Sequence, residues 1–400
     1  MFKRGNLEKQ VLKLPKEVKW CKKCVISNQR PKIIFDNNDI CSACNNQEYN
    51  KSINWQKREE ELLRLLDKYR SKNKEWDVVV PSSGGKDSGY VAHQLKYKYG
   101  MNPLLVTSSP LEYTDIGIRN YNKLNQSGFV SIKADPNGTI QRKLARLSFE
   151  ELGDAFHIFV LGQSCLPTHI ALKFNIKLIF YGENGSAEYA GDPKAADKSS
   201  VDLIENYNWL TGFFKGTMLN DLIDYGIKNK DYMKETDFRE QDLKFYNLPS
   251  LKEMKEKKIH KYYYFSYFKK WHPQENFYYC VENTGFKPND VRTEGTYTKY
   301  SSLDDKMDGM HYYLRYIKFG LGRCVEDASH EIREGHITRK EGVALMKKYE
   351  GEFPQRYFHE FLKYLDITQP HFWEVVDAWR PKHLWDKKGN RWELKNPIYK

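Results

Sequence analysis

The order of apolar and polar positions changes period repeatedly along this chain, and each change marks an element. From Trp55 to Tyr69, Leu62, Leu63, Leu65 and Leu66 fall on one broad side among charged residues, which predicts a helix. The polar stretch Lys68 to Glu75 breaks that pattern and suggests a boundary near residue 72. Val78-Val79-Val80 is a β-branched run suited to a buried strand. From Ser88 the apolar positions Val91, Ala92 and Leu95 recur at helical spacing, and Gly100 stands where a C-terminal cap belongs. Pro103 to Thr107 then reads as a strand, Asp115 to Gln126 as a helix, Phe129 to Ile132 as a strand, Ser164 to Phe174 as a helix, and Lys177 to Tyr181 as a fourth strand. Tyr262 to Phe268 supplies a fifth, its aromatics favouring burial in the core over a stacking platform for sugars. Strands alternating with helices imply right-handed parallel crossovers, so the fold class is α/β with a doubly wound parallel sheet. The tail from Ile337 to Lys400 reads as helices, with a capping box at Thr338 and Glu341 and an aromatic load that needs a surface to pack on.

Four hundred residues exceed one ordinary domain. The patterns divide them into an N-terminal module (1–52), a connecting helix (53–72), a main α/β domain (73–325) with an aromatic-rich insertion at about 201–260, and a helical region (326–400). A formal charge of +12 favours polyanionic partners such as ATP, nucleotide-sugars or RNA without choosing among them. No run reaches the apolar length of a membrane span and the first residues lack a signal-peptide pattern, so a cytoplasmic chain without membrane insertion is expected.

Chemistry enters where the first strand breaks into Pro81-Ser82-Ser83-Gly84-Gly85-Lys86-Asp87-Ser88. Gly84 and Gly85 can take positive φ and let backbone amides approach an anion, while the helix opening at Ser88 turns its positive end to the same point. Asp87 between Lys86 and Ser88 excludes the usual nucleotide-triphosphatase loop, and the dinucleotide fingerprint does not fit either. Ligands of such sheets lie at the carboxyl ends of strands, so Ser82–Ser88, Thr107–Ser109 and Gly182–Asn184 should share a crevice. Thr107 and Ser108 are then candidates to line adenine and ribose, or are ordinary polar strand ends.

Four of the seven cysteines form two pairs, Cys21-x-x-Cys24 and Cys41-x-x-Cys44, with sixteen residues between them. This is metal-site spacing, and the intervening Ile33-Ile34-Phe35 and Asp36-Asn37-Asn38-Asp39 suit a β-hairpin that brings the pairs together. Zinc is the preferred occupant, with an iron–sulfur cluster or two disulfides as alternatives. Four thiolates close a tetrahedral site, so the zinc would be structural.

The loop resembles the Ser-Gly-Gly-x-Asp-Ser motif of the PP-loop ATP pyrophosphatases, matched at Ser83 to Ser88. The paired cysteines, Gly182-Glu183-Asn184 with Glu188-Tyr189, Thr293-Glu294-Gly295-Thr296-Tyr297, Ser302-Leu303-Asp304-Asp305-Lys306 and Phe319-Gly320-Leu321-Gly322-Arg323 running into Glu326-Asp327-Ala328-Ser329 extend this to a resemblance with the N-acetyl sugar amidotransferase family, from Cys21 to about Tyr349. Where that family often shows Glu-Tyr-Gly-Gly, this chain has Glu188-Tyr189-Ala190-Gly191. The resemblance implies a PP-loop domain, an N-terminal zinc ribbon, and conversion of an acetamido group on a nucleotide-activated sugar into an acetamidino group during O-antigen or flagellar-glycan biosynthesis. ATP would adenylylate the amide oxygen and ammonia would displace AMP. Ser82 to Ser88, with Lys86 and the Gly84 and Gly85 amides, would hold the phosphates; Asp87 is the candidate magnesium ligand; Glu183 and Asn184 would complete the metal shell or orient the acetamido group. Lys299 and Arg323 are candidates to reach the α-phosphate and pyrophosphate, against the alternative of solvated cations. Asp304 and Asp305 hold metal or cap a helix. None of Cys165, Cys280 and Cys324 sits in a Gly-x-Cys-x-Gly elbow, so a separate glutaminase is expected, with a cyclase-like subunit as the ammonia conduit. The rivals are a PP-loop tRNA-thiolating enzyme and a non-catalytic nucleic-acid-binding module. The scattered remaining cysteines argue against the first, and the intact phosphate loop against the second.

Overall fold

A computed structural model describes residues 2–73, 75–189, 191, 193–207 and 217–400. Its centre is a six-stranded sheet in the order β3-β2-β1-β4-β6-β5, formed by β1 (Val78–Pro81), β2 (Pro103–Ser108), β3 (Val130–Ala134), β4 (Leu178–Tyr181), β5 (Ser200–Asp202) and β6 (Lys261–Tyr264). All neighbours are parallel except β5, which runs antiparallel to β6. Val78 and Val80 of β1 face one core with Leu62, Leu66, Val91 and Leu95. Val79 faces the other with Leu104, Val106, Leu166 and Ile170. Both faces are therefore covered, which is why these strands read as unbroken apolar runs. Chain order reverses between β1 and β4, so a crevice opens at their carboxyl ends.

The expected elements are present with shifted limits. The helix Trp55–Tyr69 begins and ends where its pattern does, and Asp115–Gln126 is capped by Thr114. The helix after the loop begins at Lys86, two residues before Ser88, and ends in a π-turn, Gln94–Lys98, before Gly100 at φ 63°. The fifth strand is shorter than its aromatic run, because Phe265–Phe268 turns into a single helical turn after β6. Cys21 to Cys44 forms no hairpin: isolated bridges Trp20–Ser27 and Phe35–Cys41 shape it, and Cys41 leads directly into the helix Ser42–Asn50. The tail is not all helix. After Arg339–Tyr349, Phe358–Leu365 and Gln369–Ala378 it closes in an antiparallel hairpin, β7 (Trp385–Lys388) and β8 (Arg391–Leu394). The capping box of Thr338 and Glu341 is formed. Part of the aromatic-rich insertion, 208–216, and Ala190 lie outside the described residues.

A third core joins the cysteine module to the tail. Cys21, Cys24, Val25 and Ile26 share it with Leu321, Val325, Phe361, Phe372 and Trp385. The aromatics of the tail pack on the main domain: Trp379 Nε1 donates to Glu150 O (3.0 Å) and Trp385 Nε1 to Ile317 O (2.8 Å). Among the described residues no helix is long and apolar enough to cross a membrane.

Candidate functional site

The loop after β1 is pinned at both ends. Ser82 N donates to Val106 O (2.9 Å), and Thr107 Oγ1 donates to Ser82 O (2.5 Å), so the hydroxyl of Thr107 clamps the loop to β2. Ser82 Oγ accepts from Gly84 N (3.3 Å) and donates to Ser88 Oγ (3.1 Å), while Ser88 Oγ donates to Gly85 O (3.3 Å). Only the first glycine is left-handed: Gly84 has φ 86°, whereas Gly85 has φ −72° as the N-cap of the helix. A Cβ on Gly84 would stand 2.5 Å from Tyr121 Cα, so glycine is required there by conformation and by contact. Gly85 supplies no side-chain cap, which leaves the first amides of the helix Lys86–His93 facing the crevice.

Lys86 is almost fully buried, ion-paired with Asp87, and its Nζ lies 5.7 Å from the centre of the Tyr300 ring. Asp87 also accepts from Asn276 Nδ2 (3.2 Å). Glu183, at the end of β4, is held protonated to about pH 7 by burial and by the nearby Asp87. Asn184 beside it is committed to the turn: its side chain accepts from Ser186 N (3.1 Å) and donates to Ala195 O (2.7 Å). Ser108 is half-buried at the end of β2, against Gly162.

The cationic wall comes from the C-terminal third. Arg323 Nη1 donates to Tyr312 Oη (2.5 Å) and its Nε pairs with Asp327 (3.2 Å). Asp327 in turn accepts from Thr296 Oγ1 (2.6 Å) and Thr298 Oγ1 (3.1 Å), which gives the Thr-Glu-Gly-Thr-Tyr-Thr run its place. Glu326 lies between Arg315 (2.6 Å) and Arg30 (2.8 Å). Burial pushes its carboxyl up, but Arg315, Arg30 and Arg323 together hold it at about 2. Arg30 thus carries the cysteine module to the crevice, where its guanidinium lies 5.8 Å from the Tyr189 ring. Lys299, by contrast, is exposed and donates to Asp290 O (2.8 Å), away from this group. Asp305 is a buried cap, accepting from Leu111 N (2.6 Å) and Met307 N (2.8 Å). Asp304 is pushed up to about 6 by burial and by Asp308, and bonds Ser83 of the loop.

The four cysteine sulfurs lie within 4.8 Å of one another and are buried. Cys21 and Cys44 are 3.9 Å apart and Cys24 and Cys41 3.7 Å, too far for disulfides and close to the ~3.8 Å edge of a tetrahedron with Zn–S bonds of about 2.3 Å. The donor set therefore fits zinc. Cys21 Sγ also accepts from Cys41 N (3.3 Å), and Arg339 donates to Cys21 O (3.1 Å) and Cys24 O (3.2 Å).

Sequence reasoning missed Arg30, Tyr300, Tyr312 and His330, which lies buried near Lys86, Glu326 and Arg323, as members of this cluster, and singled out Glu326 and Asp327 without giving them a role. The pair Glu326-Asp327, three and four residues after Arg323, was the available signal, since acids at that helical spacing from an arginine suggest a built network.

Residues 294–398 match the family model described as LPS biosynthesis protein WbpG-like, C-terminal domain. Over the region that supplies Arg323, Glu326 and Asp327, the chain is thus similar to proteins of lipopolysaccharide biosynthesis. No curated protein matches the chain.

Proposed function

We propose that the protein is an ATP-dependent N-acetyl sugar amidotransferase of PP-loop type, acting on a nucleotide-activated sugar in surface-glycan biosynthesis. The observation that carries this reading is the loop Ser82–Ser88 at the switch point of the sheet, with Arg323, from the segment similar to WbpG-like proteins, near enough to Glu183 at the end of β4 to favour its charged form. An amide carbonyl is a poor electrophile, and its oxygen must become a leaving group before nitrogen can replace it. The loop amides and Lys86 hold the β- and γ-phosphates while the amide oxygen bonds the α-phosphorus and pyrophosphate departs. Ammonia then bonds the imidate carbon and the C–O bond breaks with its electrons on AMP. Magnesium accompanying the nucleotide would be held by Asp87, supplying charge neutralisation at the phosphates. The cysteine module supports the wall through Arg30 and takes no part in bond changes. The nitrogen would come from a separate glutaminase through a cyclase-like subunit.

The test is incubation with ATP, ammonium and a panel of acetamido nucleotide-sugars. The expected product is lighter by about one mass unit and accompanied by AMP and pyrophosphate, with loss of at least ~100-fold in Lys86→Ala. ADP and phosphate as products would overturn the scheme.

A further inference from the structure

The helix His157–Lys173 packs on β1 and β2 and hands the chain to β4 through a short connection, so it runs antiparallel to the strands. Its start therefore stands at the carboxyl end of the sheet. Ser108, at the end of β2, meets Gly162 of this helix, and His157 lies five residues earlier, about 7.5 Å further out. The turn that leads into it is firmly held. Gly153 closes the helix Gly138–Leu152 at φ 63° with Trp379 packed against it, and Asp154 N donates to Ser148 O (3.2 Å). Asp154 is buried, and its Oδ1 accepts from Phe156 N (3.1 Å).

The helix Asp308–Phe319 brings His311 to this turn. His311 Nδ1 donates to both carboxylate oxygens of Asp154 at 3.0 Å, and its ring lies 5.2 Å from that of Phe156. A carboxylate only accepts, so the proton sits on Nδ1 and the lone pair on Nε2. No described residue bonds Nε2, and the side chain is 22% exposed, which leaves that edge of the ring open. The same helix also reaches the phosphate loop and the cationic wall. Asp308, one turn earlier, lies near Asp304, which bonds Ser83, and Tyr312, the next residue, accepts from Arg323. The charged groups around the ring are Asp154 across from it and, on its own helix, Asp308 and Arg315, the latter paired with Glu326 (2.6 Å).

We propose that His311, oriented by Asp154, is the base that takes a proton from the attacking nitrogen. The inference rests on the amidotransferase reading above and supplies the proton acceptor which that chemistry needs. Ammonia bonds the carbon of the adenylylated amide through its lone pair and becomes a positively charged substituent. Until it loses a proton, it is as ready to leave as AMP. His311 Nε2 takes that proton; the C–O bond then breaks with its electron pair on AMP, an amidinium remains, and the imidazolium returns its proton to solvent. Asp154 is a positioning residue that holds the ring and faces the charge formed on it.

Three measurements on the full-length protein test this. Pyrophosphate–ATP exchange with each acetamido nucleotide-sugar of the panel reads the adenylyl step, and amidine formation with ammonium reads both steps. His311→Ala should lower amidine formation about 100-fold while exchange falls less than about 3-fold, and added imidazole should restore at least ~10-fold. Asp154→Asn, which keeps the acceptor for Phe156 N, should lower kcat for amidine about 10-fold with KM for the sugar unchanged. Independently of turnover, acylation of His311 by diethyl pyrocarbonate, mapped by mass spectrometry, should slow several-fold with magnesium ATP, while exposed His336 reacts equally in both. Equal acylation of His311 with and without ATP would put the dyad outside the crevice and overturn the proposal. So would wild-type amidine formation in His311→Ala, or parallel loss of both activities without rescue by imidazole. Absence of exchange in the wild type with every sugar would instead sink the amidotransferase reading, and the proposal with it.

Discussion

At the scale of single residues, the two loop glycines do different work. Gly84 combines φ 86° with a 2.5 Å approach to the Tyr121 backbone, whereas Gly85 has ordinary φ and only a 3.3 Å neighbour in Ser83 Oγ. Gly84→Ala should therefore cost about 2 kcal/mol or more and, on the proposed amidotransferase reading, abolish nucleotide binding, while Gly85→Ala should cost less than about 1 kcal/mol. Thermal unfolding together with nucleotide titration separates them, and equal losses would contradict the geometry. The same scale explains Thr107 and Asn184: both stand at strand ends, as a ligand contact would, but their polar atoms are taken up by Ser82 O and by the amides and carbonyls of the next turn.

At the scale of elements, the cysteine module is legible from spacing alone, because four sulfurs at this separation have few other uses. Purified protein should contain one zinc per chain, and Cys24→Ser should lose the metal and several degrees of Tm, measured by elemental analysis and scanning calorimetry. Full retention of metal in that variant would argue for another ligand set. The sheet was equally readable where both faces are covered, since β1, β2 and β4 are continuous apolar runs. Elements built on other forces were not. β7 and β8 carry Asp386, Lys387, Lys388, Arg391 and Glu393 outward, and only Trp385, Trp392 and Leu394 betray a core-facing side around the turn at Gly389. β5 is three residues long and pairs at the edge, too short to show a period. The start of the helix His157–Lys173 was hidden because its residues are apolar almost all round, with no stripe to mark a first turn. The crevice wall escaped notice for a related reason: Arg30, Arg315 and Glu326 meet only after folding, and a chain with 65 cations offers no way to choose them by charge.

For the whole molecule, several carboxyls sit above their ordinary range at once: Asp304 at about 6, Glu183 and Glu350 at about 7, and Glu188 at about 8, all driven first by burial. Each binds its proton more tightly folded than unfolded, so the folded state is favoured below these values and loses stability as pH rises through them. Glu326 acts oppositely, its stabilisation present above about 4.5 and lost as pH falls toward 2. With buried His330 kept neutral, and so costing stability only below about 6.5, the ligand-free protein should lose Tm from about pH 6.5 to pH 8, a trend that a pH series of thermal scans would reveal; a Tm still rising to pH 8 would contradict the assignment of these groups. The contacts that close the third core join distant stretches: Trp20 Nε1 donates to Asn396 O (3.0 Å), His383 Nε2 meets Gln29 Oε1 (2.9 Å), and Arg30 reaches Glu326. During vectorial synthesis the cysteine module leaves the ribosome long before residues 294–398 exist to shelter its apolar side. Final docking is therefore a late, slow event of high contact order, and a chain interrupted near residue 320 would strand its beginning as well as its end.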